Sequence, residues 1–326
     1  LATSRLVGTN ETISTYGDVT RDYQQGELPT WEVDTTLNLV TGNLSHVLEV
    51  YADSASYTDS IQLFGATADA TRFRIIRAAP GHGHGGIPNT GAVFVSTTDA
   101  ALFSLAEGFA TIYDICGKLT INSATNRPIF ECSNTGSVNK RITNCIAFDG
   151  TNAGAGLVHG FLVPIDQSYI VNCLAVGNDG EGFTSNAGTT NFFYNCTAVS
   201  NTTGFRNSGG TTTKFVNCLG ASNTTNFSNS GTATGNNNAS SDATSVGTSP
   251  RTSQTFTFVN AGARDYHLSA SDAGALGFGA NLSADATFAF DDDIDGQTIT
   301  TWSIGFDSRV ASTPAGASIY YYSMVR

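Results

Sequence analysis

Charge is scarce in this 326-residue sequence: Asp, Glu, Lys and Arg together make up 13% of it, and Lys118, Lys140 and Lys214 are its only lysines. The formal net charge is −12 and no basic run occurs, so phosphate backbones would repel the chain and nucleic acid is not an expected partner. No apolar run approaches the roughly 18 residues of a membrane-crossing helix, so no membrane partner is expected. Six cysteines are present without one CxxC pair, which removes the usual zinc and redox motifs. Leu1 is followed by no basic and apolar leader, which fits a leader already removed or none.

A surface so short of charge must be covered by Asn, Thr, Ser and Gly, a composition suited to strands and tight turns outside the cell. Those residues recur with a period. Cys145, Cys173, Cys196 and Cys218 follow one another at a nearly even spacing, and Asn144, Asn172, Asn195 and Asn217 immediately precede them. Ile142, Ile170, Phe193 and Phe215 stand three positions before the cysteines. Phe161, Phe183, Phe205 and Phe227 form a further column whose spacing is constant. Asn178, Asn201 and Asn223 form another, at one fixed offset after three of the cysteines.

Within each repeat, "YIVNCLAV", "FFYNCTAV" and "KFVNCLGA" are rich in β-branched and aromatic residues and bounded by turn formers. Short strands at a period of roughly 20 to 30 residues describe a β-solenoid, each coil adding one rung about 4.8 Å further along. The repeated asparagines then turn corners in the left-handed region and bond from rung to rung. The cysteines point inward as free thiols, because in-register parallel strands seldom offer disulfide geometry.

Residues 1–34, with Trp31 and a short helical turn after Pro29, are expected to cap the first rung. Residues 35–270 form the solenoid, with "HVLEVYAD", "SIQLFGA", "RFRIIRAA" and "AVFVSTT" in its first coils. Residues 271–326 are expected to close the other end and to serve oligomerisation, with Tyr320, Tyr321 and Tyr322 packed on the shaft or a neighbour.

Several stretches carry a resemblance: Gly17–Trp31, "AAPGHGHGG" at 78–86, the Asn-Cys coils, "DYHL" at 265–268 and "DIDG…WSIG" at 293–305. In these the chain resembles the pectate-lyase-like, right-handed parallel β-helix proteins of phage virions and bacterial surfaces. The resemblance implies an all-β, right-handed parallel β-helix with a short N-terminal cap and a C-terminal β extension. The ending "WSIGFDS" departs from the acidic ending usual in such proteins.

Three groups could carry chemistry. Asp179 and Glu181 share a turn, but cleavage of a glycosidic bond needs two carboxyl groups facing each other across it. The position four after each cysteine reads Asp149, Gly177, Ser200 and Ser222, so no acidic column runs along the coils and the pair reads as solvated turn residues. His82 and His84 in "GHGHGG" lack the further ligands of a metal site and read as locally bonded turn residues. Asp291, Asp293 and Asp295, followed by Gly296, match the first half of a calcium loop, with Trp302 where its bidentate carboxylate would stand. Calcium is the one ion the pattern suggests; no other cofactor is expected.

The expectation for function is a non-enzymatic structural solenoid on a phage virion surface, as a tail fibre, spike or capsid-surface component acting in assembly or host attachment. It would form a homo-oligomer, a trimer by family habit, and contact other virion proteins. The alternative is a spike that binds or degrades a surface polysaccharide as a lyase or hydrolase.

Overall fold

A parallel strand cannot return to its neighbour through a tight hairpin, so a chain of short parallel strands must wind. The computed structural model describes residues 8–308 apart from 19, 134–137, 165–166, 187–189 and 210–211, which leaves the clustered tyrosines at 320–322 outside the described residues. The chain forms a right-handed parallel β-helix whose coils build a ten-stranded, an eight-stranded and a seven-stranded sheet, all parallel. One coil consists of Ser168–Val171, Leu174–Val176 and Glu181–Ser185, one strand in each sheet; the next of Thr190–Tyr194, Thr197–Val199 and Thr203–Asn207.

Stacking is in register. Ile142, Ile170, Phe193 and Phe215 align across the ten-stranded sheet, and Ala147, Ala175, Ala198 and Gly220 across the eight-stranded one. Phe161, Phe183, Phe205 and Phe227 align across the seven-stranded sheet. The phenylalanine column is longer than its regular spacing suggests. Phe103 and Phe130 extend it, and consecutive centroids along the six rings lie 5.3, 5.0, 4.8, 4.9 and 4.8 Å apart. Each stacked pair contributes about 0.5–1.5 kcal/mol beyond its buried area.

Two corners explain the polar columns. Asn144, Asn172, Asn195 and Asn217 have φ of 51, 52, 50 and 54°, between the ten- and eight-stranded sheets. Asparagine tolerates this left-handed geometry better than most residues. Asp149, Gly177, Ser200 and Ser222 have φ of 47, 69, 57 and 56°, so the position that fails to form an acidic column is a second left-handed corner. Beside it, Asn178 donates to Asn201 Oδ1 at 2.9 Å and Asn201 to Asn223 Oδ1 at 3.0 Å. The first corner's own ladder is broken. Asn217 donates to Asn195 Oδ1 at 2.9 Å and Asn172 to Asn144 Oδ1 at 3.4 Å, whereas Asn172 Oδ1 and Asn195 Nδ2 have no hydrogen-bond partner.

All six cysteines are free and buried. The thiols of Cys173, Cys196 and Cys218 donate to Ile142 O, Ile170 O and Phe193 O of the preceding coil at 3.5, 3.4 and 3.3 Å. Burial raises the proton affinity of Cys145, Cys173 and Cys196, and pushes Cys116 and Cys132 up to about 12. Thiolate chemistry is suppressed at these five positions.

At the N-terminal end, the strand Glu11–Gly17 already pairs residue for residue with Ser45–Val50, inside the segment expected to be only a cap. The helix Leu28–Thr35, longer than the single turn expected, buries Leu28 and Trp31 completely beside the first strand of the seven-stranded sheet, Ile61–Leu63. Arg74, fully buried, locks it there: it donates to both carboxylate oxygens of Glu107 (2.8 and 2.6 Å), to Glu32 Oε1 (3.1 Å) and to Glu32 O (2.9 Å).

The C-terminal segment does not simply close the far end. After an antiparallel hairpin of Phe258–Asn260 and Asp265–Leu268, residues 269–308 run along the side of the shaft. Asn144 Nδ2 donates to Asp293 O at 2.8 Å, Asn172 Nδ2 to Asp292 O at 2.8 Å, and Asn237 Nδ2 to Phe278 O at 2.8 Å. Apolar residues follow: Ile294, Ile304 and Phe306 pack on Ile146, Leu174 and Leu219, while Phe288, Phe290 and Trp302 pack on Tyr169, Val171 and Tyr194. The corner asparagines therefore serve the coil and a strap laid across it.

Candidate functional site

On the seven-stranded sheet, Phe130, Phe161, Phe183 and Phe205 face the core, so the residues next to them, Glu131, Leu162, Thr184 and Arg206, form a column on the outer face. Glu181, two residues before Phe183, meets this column. Its Oε1 accepts from Arg206 Nη1 at 2.6 Å, and His159 Nδ1 lies against its Oε2. Glu181 is 6% exposed and His159 is 5% exposed, so the carboxylate is no solvated turn residue. Burial opposes its ionisation, but His159 and Arg206 overcome this and hold it at about 2.

Asp179 is directed elsewhere. Its two oxygens accept from the backbone N–H groups of Val158 and Asn152, which ties its turn to the coil before it. The two residues that share a turn in sequence therefore do not share a site. Glu181 joins His159 from the coil before it and Arg206 from the coil after it.

Further along the same outer face, Glu131 borders a shallow cavity of about 330 Å³ lined also by Asp99, Arg127, Pro128 and Leu162. A second, of about 260 Å³, adjoins it across Ala100 and Ala101 and includes Ser60, Gln62 and Ser104. Ser104 donates to Glu131 Oε2 at 3.2 Å, yet burial leaves this carboxyl with its pKa raised. Sequence reading missed Glu131, His159 and Arg206. The signal was present for two of them: His159 stands two places before Phe161 and Arg206 one place after Phe205, fixed offsets from a column already visible.

The histidines of "GHGHGG" bond locally only in part, through His84 and Gly86, and otherwise reach other coils. His82 Nδ1 accepts from Ala52 N–H at 2.9 Å, and its ring meets Tyr51 edge-on at 4.8 Å. His84 Nδ1 accepts from Gly86 N–H at 3.0 Å, which puts the proton on Nε2, 2.6 Å from Asn144 O. The contacts to Ala52 and Asn144 run from one coil to another.

The aspartates of the calcium-like pattern have separate partners. Asp293 Oδ1 accepts from the N–H groups of Asp295 (3.1 Å) and Gln297 (3.0 Å), and Asp295 faces His267 Nε2 at 3.2 Å. Asp291 accepts from Ile299 N–H through its backbone carbonyl at 2.6 Å. Asp293 is buried, and burial with Asp295 and Asp307 nearby drives its pKa well above the usual carboxylate range. Among the described residues, no three His, Cys, Asp or Glu side chains converge as a metal would require. Nor, among them, is any helix long and apolar enough to cross a membrane.

No protein-family model, curated protein or solved structure matches the chain.

Proposed function

We propose that the chain is a non-enzymatic structural β-solenoid, a stiff shaft on the surface of a phage virion that acts in assembly or host attachment. The observation that carries this reading is the unbroken stack of six phenylalanine rings from Phe103 to Phe227, flanked by asparagine columns. Repeating residues are spent on holding coil to coil, and most of the described basic side chains sit in ion pairs between coils or between coil and strap. The likeness to pectate-lyase-like β-helices supplies the location: outside the cell or on the particle, in a homo-oligomer taken as a trimer beside other virion proteins. Antibody labelling of intact particles, viewed by negative stain, tests it; labelled shafts at the particle surface are expected, and unlabelled particles would overturn it.

A second reading, polysaccharide binding or cleavage, is favoured by Glu131 and Glu181. Two carboxyl groups on one sheet face, one displaced upward and one downward, are what acid–base division of labour requires. Incubation with host capsule or exopolysaccharide decides between the two. New reducing ends or unsaturated products that vanish in Glu131→Gln support the second reading, and their absence supports the first.

A further inference from the structure

Arg141 is the exception among the described arginines. Every other one pairs with a carboxylate, or in the case of Arg251 donates to the carbonyls of Ala273 and Gly274. The Arg141 guanidinium instead lies over two rings, 5.0 Å from the centre of Phe288 and 5.8 Å from that of Tyr169, which stack on each other at 5.3 Å. Burial lowers its pKa, opposed only by Tyr169. In a chain of net charge −12, a recessed cation without a carboxylate is a feature to be explained.

Its surroundings repeat the deficit. Ile142 points into the core, so Arg141 and Thr143 share the outer face of the ten-stranded sheet. Thr111 is the in-register neighbour of Arg141 on one side and Tyr169 on the other. Thr111 and Thr143 are 1% and 0% exposed, and neither hydroxyl has a hydrogen-bond partner. Buried hydroxyls without partners and a half-buried cation without a counter-ion are each costly, and here three such groups lie together.

One kind of group satisfies all three. A carboxylate offers two coplanar oxygens to the guanidinium fork and lone pairs to both hydroxyls, and a single cation balances a single negative charge. The ring faces of Phe288 and Tyr169 suit the carbon body behind it. We propose that Arg141, Thr111 and Thr143 form a binding site for a carboxylate carried on a small aromatic or apolar body, which enters past the Phe288 ring. The site belongs to neither reading above and stands apart from Glu131 and Glu181, on a different sheet.

Calorimetric titration of the full chain with benzoate, acetate and inorganic phosphate tests it. Benzoate is expected to bind saturably and more tightly than acetate or phosphate. Arg141→Lys, which keeps the charge and loses the fork, should weaken it by about tenfold or more, and Arg141→Met should abolish it. Thr143→Val removes one hydroxyl at nearly constant volume and should weaken binding several-fold, which gives an independent readout where Arg141→Met fails to fold. The assignment is overturned by the absence of saturable benzoate binding, by phosphate binding more tightly, or by unchanged affinity in Arg141→Met or Thr143→Val.

Discussion

Asn217 and Ala280 are bonded twice. The side-chain Nδ2 of Asn217 donates to Ala280 O at 2.9 Å, and Ala280 N–H donates back to Asn217 Oδ1 at 2.7 Å, so an amide side chain imitates one rung of a sheet. The same Nδ2 also reaches Asn195 Oδ1. Asn217→Ala removes the whole junction and leaves the half-buried backbone N–H and C=O of Ala280 unpaired. A loss of roughly 2 kcal/mol or more is expected, with faster amide exchange in residues 278–306 than in the coils. Unchanged exchange in that segment would show that the strap does not depend on this corner.

Phe183 lies in the middle of the ring stack, 4.8 Å from Phe161 and 4.9 Å from Phe205. Phe183→Ala should cost about 3–5 kcal/mol, because neighbouring rungs cannot collapse into the space. Phe183→Leu should cost less. Chemical denaturation of both variants checks the order as well as the size.

Arg74 is held by two carboxylates inside the protein; without Glu107 it keeps Glu32 as counter-ion but loses its two shortest charge-assisted hydrogen bonds, which leaves buried N–H groups unpaired. Glu107→Ala is expected to destabilise the N-terminal end by about 3–5 kcal/mol. Protease cleavage confined to the region around the helix Leu28–Thr35 would be the visible consequence.

The carboxyl of Glu181 titrates at about 2 in the folded chain against an ordinary 4.5, its burial outweighed by His159 and Arg206. Its contribution to stability is therefore complete above the ordinary value and is lost as the pH falls toward the folded one. Thermal midpoints measured between these limits should fall more steeply for the native chain than for Glu181→Gln. Parallel curves would mean that the charge is not used.

Thiol titration gives a sharper outcome. Native protein should react negligibly with a thiol reagent, the denatured and unreduced chain should yield six thiols, and a reductant should leave the melting temperature unchanged. Fewer than six would reveal a disulfide.

The coils were legible in the sequence because a constant period makes each column visible as a repeated letter. Where loops change the period, the columns disappear from view. Phe103, Phe130 and Phe161 are unequally spaced, and the corner equivalent to Asn144 one coil earlier is Asp114, with φ of 59° and its N–H donating to Thr143 O at 3.2 Å. The strap was illegible for a different reason. Asn144 meets Asp293 across nearly half the chain, and nothing periodic links them. The residues around Glu181 fall between these cases: stacking brings His159 and Arg206 to it, and their offsets from the phenylalanine column are visible in the sequence, but their letters differ, so no repeated letter marks them.

In most solenoids each coil touches only its neighbours, and an end can fray while the middle holds. Here Gly305 N–H bonds Asn217 O and Phe306 N–H bonds Thr197 Oγ1, while Asp292 and Asp293, earlier on the same segment, hold Asn172 and Asn144. Four coils are thus tied by one thread that must detach before any of them can peel away alone. The rod should melt as a single cooperative unit over that span, with fraying confined to the coils beyond the thread's reach.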